Sequence, residues 1–154
     1  MLLCLHLKEM DEYVQIAHLP KPNESCPAGK NLVACGWGTD YLDYPFFQKN
    51  KDKLWCVAQE CVEVTECPSA TPIPYQYALC VTDRDEPKNS VCHHDSGGPL
   101  TYTDENGKTT LYGVIQGPGL KPDSYLRCES KAVFSRVTHP KVLKWIEKHI
   151  AMHA

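Results

Sequence analysis

The sequence predicts an all-β domain, an antiparallel barrel or sandwich finished by one C-terminal helix. Three observations predict it. Short alternating or β-branched runs recur along the chain. Glycines and prolines punctuate the intervals between them. Only the last segment spaces its apolar residues as a helix does. The 154 residues suit one domain, and 42% hydrophobic content is enough for a packed core.

In chain order, Met1–Leu7 reads as a buried strand. Tyr13–Leu19 reads as a second extended piece, stopped by Pro20-Lys21-Pro22-Asn23. Asn31–Ala34 is a short apolar run closed by Gly36-Trp37-Gly38, whose glycines suit a tight turn or bulge. Residues 39–53 are polar and aromatic, as a loop is. Leu54–Val64 alternates and reads as a strand. Pro68–Pro74 holds three prolines and is a loop or an edge. Tyr75–Val81 is a strand, and Thr82–Asn89 is a charged, exposed connection. Thr109–Ile115 and Lys131–Val137 are strongly β-branched strands. Between Tyr102 and Thr109, the run TDENGK predicts a hairpin turn centred on Asn106-Gly107. At the end, Thr138 is the expected helix cap, with Pro140 in the first turn, where its missing N–H costs nothing. Val142, Leu143, Trp145, Ile146 and Ile150 then share one helical face.

Charge and cysteine content narrow the class. Net charge is −3 and no Lys/Arg stripe occurs, which speaks against a nucleic-acid partner. No apolar run approaches the ~20 residues of a membrane-spanning helix. The nine cysteines are spread along the chain without a CxxC pair, so a zinc site is disfavoured. A disulfide framework in an oxidising compartment is the expectation, and with it an extracellular location. Met1–Leu7 is too short, before Lys8 and Glu9, to be a signal peptide.

The chemistry is concentrated in Val91-Cys92-His93-His94-Asp95-Ser96-Gly97-Gly98-Pro99-Leu100. A serine between Asp95 and two glycines suits a sharp, exposed turn. Glycines there let backbone N–H groups approach a ligand, and such N–H groups can face a developing oxyanion. A bare DSGG reads first as a polar turn with a capping serine, and it is the surrounding sequence that favours the chemical reading.

The wider sequence resembles the trypsin-like serine proteases. Asp95–Leu100 resembles that family's nucleophile motif, and Cys35-Gly36-Trp37-Gly38-Thr39 its GWGT turn. Tyr13-Val14-Gln15 through Leu19-Pro20 is similar to the segment joining its two barrels. The run from Leu54 to Cys67, Tyr77-Ala78-Leu79-Cys80, Ala132–Val137 and the Trp145 helix follow in the family's order. The resemblance implies the second of the family's two barrels, six-stranded and Greek-key, with the terminal helix. It makes residues 1–154 a partial peptidase domain without the N-terminal barrel, acting on protein or peptide substrates. It implies no metal and no organic cofactor.

It also implies roles. Ser96 is the nucleophile, and the N–H groups of His94 and Ser96 form the oxyanion hole. Asp95 is the acid that pairs with a newly cleaved amino terminus. Ser90 lies at the base of the primary specificity pocket, with Pro118 and Ala132 on its walls. A serine at that base, with no acid, argues against Lys or Arg specificity. Cys67–Cys80 and Cys92–Cys128 match two family bridges. A third family bridge is absent, with Leu32 and Tyr102 in its places. Cys35–Cys56 and Cys26–Cys61 are proposed as further bridges. They are nested, as neighbouring antiparallel strands require, and they leave Cys4 over.

The pattern breaks at the base. A serine hydroxyl is a poor nucleophile without one. Leu2–Leu7 resembles the segment after the family's catalytic aspartate, and Met1 falls at that aspartate. The family's histidine has no counterpart, and none of the seven histidines is expected to replace it. His94 stands where the family has a glycine, and Gln116-Gly117-Pro118 where it has Ser-Trp-Gly. The sequence is therefore compatible with two functions. One is a serine endopeptidase that is incomplete, and inactive, as this chain. The other is a non-catalytic homolog that binds or regulates a partner. A third, a disulfide-stapled module with no site, has least in its favour.

Overall fold

The computed structural model describes residues 11, 14–27, 29–38, 53–67, 73–83, 91–121 and 124–152; of 118–121, 124–127, 129 and 130 it describes the backbone alone. Six strands form it: β1 (Leu32–Gly36), β2 (Trp55–Val62), β3 (Ala78–Asp83), β4 (Pro99–Thr103), β5 (Thr109–Lys121) and β6 (Ser124–Arg136). They close into an antiparallel barrel in the order β1-β2-β3-β6-β5-β4. Closure comes from β1 against β4, where Val33 faces Thr101 and Ala34 faces Leu100. The helix α1 (Pro140–Ala151) follows β6. The chain has the expected fold class.

Alternation along the strands builds the core. Leu32 and Ala34 of β1, Val81 of β3, Leu100 of β4, Ile115 of β5 and Phe134 of β6 are buried together with Val91 and Tyr112. Burying each large aliphatic or aromatic side chain contributes about 1.5–3 kcal/mol. Gly113, paired with Arg136, packs tightly beside Phe134, where a Cβ on it would stand 3.0 Å from the Phe134 Cβ. A second cluster packs Ala78 and Val133 around Cys67 and Cys80. Register shifts between Leu100 and Thr101, and along β5–β6, bend the strands as barrel closure requires.

Several boundaries differ from the sequence expectation. Residues 75–77 form a 3₁₀ turn, and the strand runs from Ala78 to Asp83. Thr82 and Asp83 join it because β2 offers them partners at Glu60 and Gln59. The β5–β6 hairpin extends well beyond Ile115 and Lys131, since each strand supplies the other's ladder. In the β4–β5 turn Gly107 donates to the Asp104 carbonyl at 3.0 Å, so the turn centres on Glu105-Asn106. Gly107 follows in the left-handed region at φ 79°, as glycine after a type I turn does. The helix cap is His139, whose Nδ1 accepts from the Lys141 N–H at 3.2 Å. Thr138 is buried and accepts instead from Arg136 Nε at 2.8 Å.

Residues 14–27 are stitched to the barrel wall. His18 donates to Thr109 at 2.8 Å and accepts from Leu111 at 2.9 Å, and Asn23 donates to Thr138 at 2.8 Å. All four expected cysteine pairs meet. Their Cα separations are 6.3 Å for Cys26–Cys61, 4.1 Å for Cys35–Cys56, and 5.5 Å for Cys67–Cys80 and Cys92–Cys128. All lie within the ~7 Å a bridge can span. Cys35 and Cys56 are direct partners across β1 and β2. Leu32 and Tyr102 stand one rung beyond Val33–Thr101 on the β1–β4 ladder. Met1–Leu7, with Cys4, lies outside the described residues, as does Ser90.

Candidate active site

Two successive turns build the loop that carries Ser96. The first is closed by the Asp95 N–H on the Cys92 carbonyl at 3.3 Å, the second by the Gly98 N–H on the Asp95 carbonyl at 2.9 Å. Each needs a positive φ at its third residue. Gly97 supplies it at φ 91°, and His94 supplies it at φ 72°. Glycine adopts this conformation without penalty, whereas a side chain there costs on the order of 1–2 kcal/mol. The loop is then sewn to β5, with Gly97 donating to Ile115 at 2.9 Å and Ile115 donating to Gly98 at 2.8 Å.

Asp95 ties this loop to β1. Its Oδ1 accepts from the Gly38 N–H at 2.8 Å and its Oδ2 from the Cys92 N–H at 2.8 Å. Gly36 and Gly38 both lie against this carboxylate, and a Cβ on either would overlap Asp95 Oδ1. Gly98 is similarly confined, because its Cβ would meet the Cys35 carbonyl at 2.8 Å. The Gly36-Trp37-Gly38 turn is thus a cradle for a side chain 57 residues further on.

Ser96 is exposed, and its Oγ donates to the Gln116 carbonyl at 3.3 Å. Among the described residues, the N–H groups of His94 and Ser96 have no protein acceptor. No described histidine ring hydrogen-bonds Ser96 Oγ. His139 caps α1 and its ring lies 4.4 Å from that of Tyr77. His149 is held to the Trp145 carbonyl at 2.7 Å and lies against the Trp145 ring. His18 is engaged with β5 through its backbone. His94 is exposed and His93 half-buried. His6 and His153 lie outside the described residues.

Of the expected pocket residues, Pro118 and Ala132 are direct partners across β5 and β6. Ala132 is fully buried and belongs to the core. Pro118 has no N–H to offer an extended ligand alongside β5. Sequence reasoning missed the Gln116 carbonyl as the partner of Ser96, since a backbone acceptor leaves no side-chain signal. It also read Gly36 and Gly38 as turn formers only. Among the described residues, no cluster of three or more His, Cys, Asp or Glu side chains is placed to hold a metal ion, and no helix is long and apolar enough to cross a membrane.

A closed six-stranded antiparallel barrel, a terminal helix and an Asp-Ser-Gly-Gly loop held against the Gly36-Trp37-Gly38 segment are together the features of a trypsin-like barrel. The trypsin family model matches residues 1–146, and the chain belongs to that family. It is 26% identical to chymotrypsin-C of Bos taurus over 94% of this chain and 51% of that protein. It is 27% identical to human chymotrypsin-like elastase family member 3B over 94% of this chain and 51% of that protein. To phenoloxidase-activating factor 3 of Holotrichia diomphalia it is 27% identical, over 91% of this chain and 38% of that protein. The chain thus spans about half the length, or less, of these curated relatives. The four disulfides fit an extracellular protein.

Proposed function

We propose that this chain is the nucleophile-bearing barrel of a secreted serine endopeptidase, which cleaves peptide bonds through an acyl-enzyme on Ser96. One observation carries the reading. Ser96 is exposed on a loop fixed by the Asp95 carboxylate, and its N–H and that of His94 have no acceptor among the described residues. In the reaction, Ser96 Oγ bonds to the scissile carbonyl carbon, whose oxygen becomes the oxyanion. The two N–H groups then stabilise that charge, and removing one such donor typically costs a factor of about 10²–10³ in rate. Collapse of the tetrahedral species breaks the carbon–nitrogen bond and releases the amine. Water then hydrolyses the ester.

The proton of Ser96 has to leave as it attacks. Its hydrogen bond goes to Gln116, a carbonyl that cannot act as a general base at neutral pH. The histidine and its orienting aspartate are therefore assigned to a second barrel. Ser90 and Pro118 are assigned to the substrate pocket, with Ala132 buried behind its wall, and the pocket selects an uncharged side chain.

A second reading rests on His94 at φ 72° and on Pro118. Both weaken the handling of substrate backbone, as in a homolog that has kept the protease surface for binding. Labelling with a fluorophosphonate separates the two. The peptidase reading expects stoichiometric labelling of the natural protein, abolished in Ser96→Ala, and none of residues 1–154 alone. A folded natural protein that takes no label overturns it in favour of the binding homolog.

A further inference from the structure

One stretch of the chain has an asparagine, a non-proline residue and a serine in succession: Asn23-Glu24-Ser25. That pattern is the acceptor for N-linked oligosaccharide. The pattern alone is common, and the local structure decides whether it is presented. The Glu24 N–H donates to the Lys21 carbonyl at 3.0 Å, closing a turn across Pro22 and Asn23. Asn23 sits in this turn at φ 58°, a conformation asparagine tolerates better than most residues. Its own N–H donates to the Thr138 carbonyl at 2.8 Å, which pins the turn just ahead of α1.

The side chains then divide. Glu24 turns inward, accepting from the Tyr112 hydroxyl at 2.6 Å and from the Lys21 N–H at 2.7 Å. Asn23 and Ser25 on either side of it are exposed. Among the described residues neither side chain has a hydrogen-bond partner. The structure therefore holds the middle residue of the triplet and leaves the two recognised residues in solvent. Cys26 follows at once and is bridged to Cys61, which places the folding of this segment in an oxidising secretory compartment. Glycan transfer takes place in that same compartment.

We propose that Asn23 carries an N-linked glycan. The donor is a lipid-pyrophosphate-linked oligosaccharide. Asn23 Nδ2 bonds to the anomeric carbon of the first sugar and gives up one proton. The bond from that carbon to the pyrophosphate oxygen breaks, and the lipid pyrophosphate leaves with the electron pair. Nothing is oxidised or reduced. The glycan stands at the turn beside the start of α1, and the proposal does not depend on the state of Ser96.

Peptide mapping of the secreted natural protein tests this. Trypsin leaves Asn23 in the peptide Glu9–Lys30, because Pro22 protects Lys21. Enzymatic deglycosylation in ¹⁸O-water is expected to convert Asn23 to ¹⁸O-labelled aspartate. Expressed in secretory cells, Asn23→Gln and Ser25→Ala each lose the whole glycan-dependent gel shift, while Ser25→Thr keeps it. Ser25→Ala retains the native residue at φ 58°, so it reads out glycosylation even if Asn23→Gln folds poorly. Recovery of Glu9–Lys30 solely in unmodified form from the secreted protein overturns the proposal.

Discussion

His94 and Asp95 are adjacent and pull in opposite directions. Asp95 satisfies two backbone N–H groups at once, and leaving a buried donor unpaired costs about 1–3 kcal/mol. His94 adopts a conformation that glycine adopts freely. His94→Gly is therefore expected to stabilise the fold by up to about 1 kcal/mol, strain relief outweighing the extra backbone entropy of glycine. A rise in the urea midpoint at constant m checks it, and a fall of similar size contradicts it. Gly38→Ala should do the reverse. Its Cβ overlaps Asp95 Oδ1, and overpacking of this kind costs about 1–3 kcal/mol. The same measurement reads it, and an unchanged midpoint would show that the loop moves aside freely. The Asp95-Ser96-Gly97-Gly98 motif was legible in the sequence. The reason for Gly38 was not, because the atom it must avoid lies 57 residues away in the chain.

The elements were legible in proportion to how local their causes are. β-branched runs announced the cores of β5 and β6, and Pro140 marked the first turn of α1. Ends set by a distant partner were not visible. Thr138 is taken by Arg136 rather than by the helix, so the cap passes to His139. Thr82 and Asp83 are strand only because β2 pairs with them. Long-range side-chain pairing also joins elements, as at Glu24 and Tyr112. The Tyr112 hydroxyl, and after it the Lys21 N–H, hold the Glu24 carboxyl below its ordinary value near 4.5. Burial first, and then Glu24, push the Tyr112 phenol well above its ordinary value, so it remains a donor at neutral pH. A depressed carboxylate stabilises the fold above its unfolded pKa, and that stability is lost as pH falls through the folded value. Tyr112→Phe should therefore cost about 1 kcal/mol at pH 7, at the low end for a bond to a charged group because Glu24 is partly solvated. The gap to the unaltered protein should close as pH drops below 4.5. Urea melts at pH 7 and pH 3.5 test it, and a gap that stays constant would assign the effect to packing alone.

Pairing of β1 with β4 closes the barrel, so its strands are paired on both sides where they meet around it. Side chains on the described surface can still drive association, and α1 carries several apolar ones. Leu143 is buried, but Trp145, Ile150 and Met152 are 45%, 58% and 64% exposed. Trp145 and Met152, seven positions apart, share the flank turned away from the buried Leu143, and Ile150 lies on the Leu143 side. Ile16, in the segment stitched to β5, is 68% exposed as well. Contiguous apolar patches beyond a few hundred Å² mark interaction sites in soluble proteins. Residues 1–154 alone are therefore expected to self-associate at micromolar concentration. The double change Trp145→Ser and Met152→Ser should shift them toward monomer with the barrel intact, since neither side chain is buried in its core. Sedimentation velocity reads the association and near-ultraviolet circular dichroism the fold. If the unaltered chain is a monodisperse monomer that unfolds cooperatively, α1 is covered well enough by solvent and its own barrel. The apolar face then needs no partner to explain it.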